Sequence, residues 1–183
     1  MKLVTRQEIL DYVTYEEQRD KFRKKIMKIK ESRRINVAGV LSFLFENTDT
    51  VRYQIQEMIR VERIVKETDI QHEINTYNEL LGDSGELGCT LVIEIDDPDE
   101  REEKLTQWLD LPKHLYLSLE DESRIRTSFD ERQIGDARLS SVQYIKFNTG
   151  GKTPVAIGSD LPLLKAETAL TADQKKALSE DLL

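Results

Sequence analysis

The sequence predicts an α+β protein with a largely antiparallel sheet of about five or six strands, helices packed on one face, and a helical N-terminus. Three observations support this class. Apolar residues recur with helical spacing early in the chain, apolar and polar residues alternate later in it, and helices precede the last strands instead of alternating with them. A chain of 183 residues is most simply a single domain spanning 1–183.

The two ends of the chain are predicted to be helical. In the N-terminal segment 1–33, Thr14 and Glu17 have the spacing of a capping box, so the main helix is expected to begin there. At the other end, Thr171 is expected to cap a short helix within residues 170–183. We expect this C-terminal helix to be loosely attached, as chain termini often are.

Two apolar segments in the first half of the chain are predicted to be strands. RINVAGVLSFLF, residues 34–45, is expected to form one strand with a bulge at Gly39. LGCTLVIEI, residues 87–95, is almost wholly apolar, which favours a central position in the sheet.

From residue 113 onward, alternation predicts the remaining strands. HLYLSLEDESRIRTSF is expected to form a hairpin, and TPVAIGSD to form the last strand. Between them, SSVQYIKFNT is expected to place Val142, Tyr144 and Lys146 on one face of the sheet.

A helix predicted from about residue 50 to residue 67 carries a stripe of planar polar side chains that suit fixed hydrogen bonds. Glu94, inside an apolar strand, is expected to face the core and to need a charged partner. The candidate ligand-binding residues are Arg52, Gln56, Glu57, Arg60 and Glu94. Two interpretations stay open. The stripe binds an acidic partner or ligand, or its ion pairs tie the helix to its neighbours.

Composition and charge limit the function classes. The net charge of −8 disfavours nucleic acid as a general partner. Residues 1–34 hold 11 Lys/Arg against 6 Asp/Glu, and the remainder holds 16 against 29. This separation of charge is compatible with intramolecular attraction, a partner-facing surface, or self-association as a homo-oligomer. No apolar run approaches the ~20 residues that span a bilayer, and the first ten residues lack a signal-peptide core. With Cys89 as the single cysteine, these features predict a cytoplasmic protein.

Catalytic and metal-binding motifs are absent from the sequence, so no catalytic residue, metal or cofactor is predicted. Three functions stay open. The first is a non-enzymatic binding or accessory module. The second is an enzyme in which Glu57 or Glu62 acts as general base while Arg52 or Arg60 holds a small anionic substrate. The third is nucleic-acid binding through the basic segment 19–34.

Four segments carry a family resemblance: FENTDTVRYQIQEMIRVERI, GELGCTLVIEI, VQYIKFN and VAIGSDLP. Together they resemble an uncharacterised bacterial family known only as a domain of unknown function, and the VRYQIQEM helix is the most specific part. Genes of that family often neighbour those for rubrerythrin and an iron–sulfur oxidoreductase. The resemblance therefore implies, by association, a protein partner in a redox or peroxide-response system. It implies no catalytic residue, and the compact FNTGGKTP connection departs from the longer, helix-like segment of the relatives.

Overall fold

The computed structural model describes residues 1–135 and 137–183, and these form six α-helices and nine β-strands. The helices are α1 (Tyr12–Glu31), α2 (Thr48–Glu62), α3 (Glu67–Asn78), α4 (Pro98–Gln107), α5 (Leu111–His114) and α6 (Ala172–Asp181). The strands are β1 (Arg34–Val37), β2 (Leu41–Phe45), β3 (Glu86–Ile93), β4 (Leu115–Leu119), β5 (Arg124–Arg126), β6 (Ser128–Phe129), β7 (Val142–Asn148), β8 (Pro154–Leu161) and β9 (Leu164–Ala169). The predicted α+β class, antiparallel pairing and helical N-terminus are confirmed.

The strands form two antiparallel sheets. The first has the order β1-β2-β3-β7-β6 and the second has the order β5-β4-β8-β9. At one edge the chain passes directly from β5 to β6 through Thr127. At the opposite edge, Thr168 Oγ1 donates a hydrogen bond to the carbonyl oxygen of Asn36 at 3.0 Å. The two sheets therefore approach each other along both edges and enclose a common core.

The side chains that point inward from alternate positions along the strands fill this core. In β7, Gln143, Ile145 and Phe147 are buried while Val142 and Tyr144 are exposed, as the sequence pattern predicts. Helices α4, α5 and α6 also contribute to the core between the sheets. The buried side chains from these helices and from the residue that follows α4 include Leu105, Trp108, Leu111 and Leu178. Burying each such side chain contributes roughly 1.5–3 kcal/mol.

Helices α1, α2 and α3 form a separate layer against the outer face of the first sheet. The buried residues of the second core beneath them and the N-terminal segment are Val4, Ile9, Val51, Ile55, Ile59, Ile70, Ile74 and Leu81. The segment after α3 crosses β3 so closely that a Cβ built on Gly88 would lie 1.7 Å from the Leu80 carbonyl oxygen.

Among the described residues, no helix has both the length and the apolar character that a membrane crossing requires.

The segment 34–45 is a hairpin, so the prediction of one bulged strand is wrong. Ala38 and Gly39 both have positive φ, 55° and 72°. Two consecutive left-handed residues reverse the chain, as in the tight turns that join antiparallel strands. The apolar composition of this segment reflects two buried strands, and it gave no indication of the reversal.

The ends of two helices also differ from the prediction. Helix α1 begins at Tyr12, because the Asp11 carboxylate accepts hydrogen bonds from the first turn. Helix α2 ends at Glu62, because Arg63 adopts the left-handed conformation with φ 51°.

The last part of the chain is attached more firmly than predicted. Strand β9, which the sequence analysis missed, pairs with β8 along its whole length. Helix α6 follows Thr171 as predicted, but it is not loose. Leu178 is fully buried in the main core, and Asp181 forms a buried ion pair with Arg33.

Candidate functional site

The polar stripe of α2 is held in place by the cap and the apolar face of the same helix. The Asn47 side chain accepts from the Thr50 backbone, and the Thr50 hydroxyl accepts from the Asn47 backbone. Val51, Ile55 and Ile59 are fully buried and fix the rotation of the helix. The stripe therefore faces α1 and the N-terminal segment.

Glu57 is the centre of an ion-pair network between α1 and α2. Its Oε1 accepts from the Tyr15 hydroxyl at 2.8 Å and from Arg19 Nε at 2.8 Å. Its Oε2 accepts from Arg19 Nη2 at 2.9 Å and from Arg60 Nη2 at 3.4 Å. Burial alone would raise the pKa of Glu57, but the hydrogen bonds from Arg19 and Tyr15 outweigh burial and lower it. A carboxylate so held is a poor general base, since its proton affinity is reduced.

Gln56 and Arg52 attach the N-terminal segment to the same helix. The buried Gln56 amide accepts from the Leu10 backbone N–H at 2.6 Å and donates to the Leu10 carbonyl at 3.1 Å. Arg52 pairs with Asp49 and, at 3.4 Å, with Glu8. Both side chains thus satisfy groups within the chain.

The space beside the stripe is small. A cavity lined by Tyr15, Arg52 and Gln56 has a volume of about 20 Å³. That is roughly the room needed for one water molecule and far below the volume of a typical ligand site. The geometry supports the interpretation in which the stripe ties neighbouring elements together. It does not provide the open pocket that the carboxylate–arginine enzyme hypothesis requires.

Glu94 is not part of this network. It follows the last residue of β3 and is exposed, while Ile93 and Ile95 on either side of it are buried. The expectation that Glu94 faces the core is therefore wrong, because the alternation of the extended chain turns its side chain outward. Among the described residues, its side chain forms no ion pair with Arg60 or any other partner.

Acidification is expected to remove the contribution of Glu57 to stability. The folded pKa lies below the ordinary value of 4.5, so the charged form stabilises the fold above about pH 4.5, and this contribution is lost as the pH falls through the folded pKa. We expect Glu57→Gln to lower the free energy of unfolding by roughly 1–2 kcal/mol at pH 7, and by less near pH 3. Urea unfolding of both proteins at the two pH values measures this difference. A difference that does not change with pH would contradict the prediction.

A larger concave surface, which the sequence analysis missed, lies between the end of α3 and strands β6 and β7. Its volume is about 650 Å³, within the roughly 300–1,000 Å³ of small-ligand sites. The residues that line it include Tyr77, Leu80, Phe129, Tyr144, Ile145 and Lys146. We refer to this surface as the α3–β7 groove. Alternation in β7 correctly predicted that Tyr144 and Lys146 share a face, but the two-residue strand β6 carried no recognisable pattern.

The α3–β7 groove combines an apolar wall with a charged rim. Lys146 Nζ lies 3.7 Å from the Glu86 carboxylate, so the cation is held at the rim. Burial raises the pKa of Tyr77, which keeps its hydroxyl protonated. Aromatic rings with a polar tip are the side chains that protein interfaces use most effectively.

Cys89 also lines the groove, and its thiol is expected to be unreactive. Burial, followed by the negative charge of Glu46, raises the pKa of its thiol well above the ordinary value. The Glu46 carboxylate is itself buried, and it accepts from Thr90 Oγ1 at 2.7 Å and from the Thr50 hydroxyl. A buried, protonated thiol behaves as a small apolar side chain and not as a nucleophile.

The basic segment 19–34 is divided by the structure into a paired and an exposed part. Arg19 and Arg33 form ion pairs with Glu57 and Asp181. The cations on the outer side of α1 are exposed and form no ion pair with any described residue. These are Lys21, Arg23, Lys24, Lys25 and Lys28. They face solvent, so this part of α1 is a solvated helix face.

Comparison with known proteins shows the family. Residues 3–182 match the family described as "Protein of unknown function (DUF3501)". The chain is also similar to the crystal structure of a novel protein of unknown function from Burkholderia pseudomallei K96243, with 27% sequence identity, a TM-score of 0.91 and 100% of both chains covered. None of the curated proteins compared with the chain matches it. The chain therefore belongs to the DUF3501 family of proteins of unknown function.

Proposed function

We propose that this protein is a non-enzymatic accessory module of the bacterial cytoplasm that binds a protein partner in the α3–β7 groove. The observation that carries the proposal is the groove itself. The helical layer leaves part of the outer sheet face uncovered, so Val142 and Tyr144 are 37% and 44% exposed. A concave surface of about 650 Å³ adjoins them and is bordered by Phe129 and Lys146.

The chemistry of the other polar clusters supports binding over catalysis. Glu57 and Arg60 are tied to α1, and the Cys89 thiol is buried and protonated. These groups stabilise the fold, while the groove presents side chains that a partner can cover. A carboxylate with a raised pKa beside an open pocket would instead have supported an enzymatic function.

A protein partner is favoured over nucleic acid. The exposed cations Arg23, Lys24 and Lys28 share their surface of α1 with the carboxylates of Asp20 and Glu31. A polyanion lying along α1 would therefore meet negative charge as well, on a chain whose net charge is −8.

The resemblance of the chain to a family whose genes often neighbour those for rubrerythrin supports a partner in a redox or peroxide-response system. Purified rubrerythrin and the neighbouring iron–sulfur oxidoreductase are therefore the probes to use. Each is titrated against the full chain by calorimetry, and we expect one of them to form a saturable complex with the wild-type protein.

A substitution that fills the groove should weaken this complex. Thr76 is exposed on α3 and borders the groove, so Thr76→Arg adds a long cation there without removing core packing. We expect affinity to fall by about tenfold or more, which corresponds to at least ~1.4 kcal/mol. His72→Arg, also exposed on α3 but outside the groove, is the matched control and should change affinity less than about twofold.

Two results would contradict the proposal. If neither redox protein binds the wild-type chain, the redox assignment is wrong. If one of them binds, but Thr76→Arg and His72→Arg bind equally well, the partner uses another surface and the groove is not the binding site.

A further inference from the structure

A second concave surface lies beside the loop that precedes β7, and nothing in the proposed function uses it. Helix α4 forms one side, and the described lining residues on the other side are Arg132, Gly135 and residues 138–141. Its volume is about 480 Å³. The described side chains that give it its character are Arg101, Arg132, Arg138, Ser140 and Ser141. We refer to it as the arginine cleft.

The backbone around the arginine cleft is held in a defined position. The Leu139 N–H donates to the Leu105 carbonyl of α4 at 3.0 Å, and the Leu139 side chain is buried in the main core. Leu139 also forms a β-bridge with Ile134. A Cβ built on Gly135 would lie 2.6 Å from the Arg138 carbonyl oxygen, so this close approach requires glycine. These contacts fix the part of the loop that carries Arg138.

The described lining of the cleft is basic, whereas the chain as a whole is acidic. The described lining holds three arginines and no carboxylate, on a chain with net charge −8. Arg101 Nη1 donates to the Ile95 carbonyl at 3.0 Å, which orients the guanidinium and leaves its other N–H groups available. Neither Arg101 nor Arg138 forms an ion pair with any described residue. Arg132 differs, since it pairs with Asp130.

Two hydroxyl groups complete the donor set. Ser140 Oγ accepts a hydrogen bond from the Val142 N–H at 3.2 Å, so its own hydrogen is free to donate. The Ser141 carbonyl accepts from the Ile93 N–H at 2.7 Å, which places Ser141 against the end of β3. Guanidinium forks and hydroxyl donors on facing walls match the oxygens of phosphate and carboxylate groups.

We propose that the arginine cleft binds a small, multiply charged oxyanion, held by Arg101 and Arg138 with hydrogen bonds from Ser140 and Ser141. The volume accommodates a ligand with two or more anionic groups, and a single phosphate would leave most of it empty. This site is independent of the α3–β7 groove and of any partner bound there.

The test uses the full chain with pyrophosphate as the phosphate probe and citrate as the carboxylate probe, titrated by calorimetry at low salt. We expect saturable one-to-one binding of at least one probe, weakened by added salt because the contacts are ionic. Binding of pyrophosphate alone identifies phosphate ligands, and binding of citrate alone identifies polycarboxylates. If neither probe binds at concentrations up to about 10 mM, which corresponds to less than ~3 kcal/mol of binding free energy, the proposal is overturned.

Substitutions locate the site. Arg138→Gln removes one exposed cation whose side chain forms no ion pair or hydrogen bond with any described residue, so the variant should keep the unfolding midpoint of the wild type. We expect it to weaken binding of the probe about tenfold, and Arg101→Gln to do the same. Arg23→Gln on α1 is the matched control, because Arg23 is also exposed and forms no ion pair with any described residue, and it should change affinity less than twofold. Equal loss in Arg23→Gln and Arg138→Gln, or no loss in Arg138→Gln, would show that the anion is attracted only by general charge.

Discussion

Gly88→Ala is expected to lower the free energy of unfolding by about 3 kcal/mol or more, a severe effect for one methyl group. The added Cβ would lie 1.7 Å from the Leu80 carbonyl oxygen and 3.3 Å from the Gly82 nitrogen. Both are backbone atoms, so no side-chain rotation can relieve the overlap. Strand β3 and the segment after α3 must move apart, and the outer layer then loses its contact with the sheet.

The measurement is thermal and urea unfolding followed by circular dichroism, with Gly39→Ala as the control. A Cβ on Gly39 has nothing within 4 Å, so this variant tests only the left-handed backbone with φ 72° and should cost about 1 kcal/mol. Because Leu80 also lines the α3–β7 groove, Gly88→Ala should impair partner binding as well. Equal stability of Gly88→Ala and the wild type would mean that the helical layer does not cross β3 as closely as described.

Asp181→Ala is expected to lower the free energy of unfolding by about 3 kcal/mol. The carboxylate of Asp181 receives two hydrogen bonds from Arg33, at 2.7 Å and 2.9 Å, and both side chains are about 10% exposed. Removing the carboxylate leaves a buried guanidinium whose remaining partners among the described residues are the Ile29 carbonyl and the Ser32 hydroxyl. The cost therefore comes mainly from the unpaired charge.

Two further variants separate this cause from general damage to α6. Glu180→Ala removes the neighbouring exposed carboxylate, which lies 4.0 Å from Lys176, and should change stability by no more than about 0.5 kcal/mol. Replacing both Arg33 and Asp181 by leucine removes the pair without leaving a charge, and should recover most of the lost stability. If the double variant is as unstable as Asp181→Ala, shape at the site matters more than charge.

The polar stripe of α2 illustrates how far a sequence pattern can be interpreted. Spacing along the helix correctly placed Arg52, Gln56 and Arg60 on adjoining positions, because helical geometry is local. The hydrogen-bond partners of these side chains, however, lie far away in the sequence. The Leu10 backbone is 46 residues from Gln56, and Arg19 is 38 residues from Glu57. One pattern is therefore compatible with an open site or with closed ion pairs, and the position of α1 decides between them.

Local sequence patterns are also insufficient to predict the sheet topology and the two concave surfaces. Most strands with clear alternation were predicted, although β9 was missed. The hairpin at residues 34–45 depends on two left-handed residues, one of which is alanine. The α3–β7 groove and the arginine cleft are formed by segments from different parts of the chain. Arg101 and Arg138 share a cleft only because Leu139 is bound to α4.

The sequence by itself determined the α+β class, the apolar strand β3, helix α2 with its polar stripe, and the cap of α6 at Thr171. These features depend on periodicity and capping, which act over a few residues. Only the tertiary structure decided that the strands divide between two sheets, that Glu57 is enclosed by Arg19 and Tyr15, and that two concave surfaces form. Those outcomes depend on contacts between distant segments, whose pairing reflects the packing of the whole chain and not any local pattern.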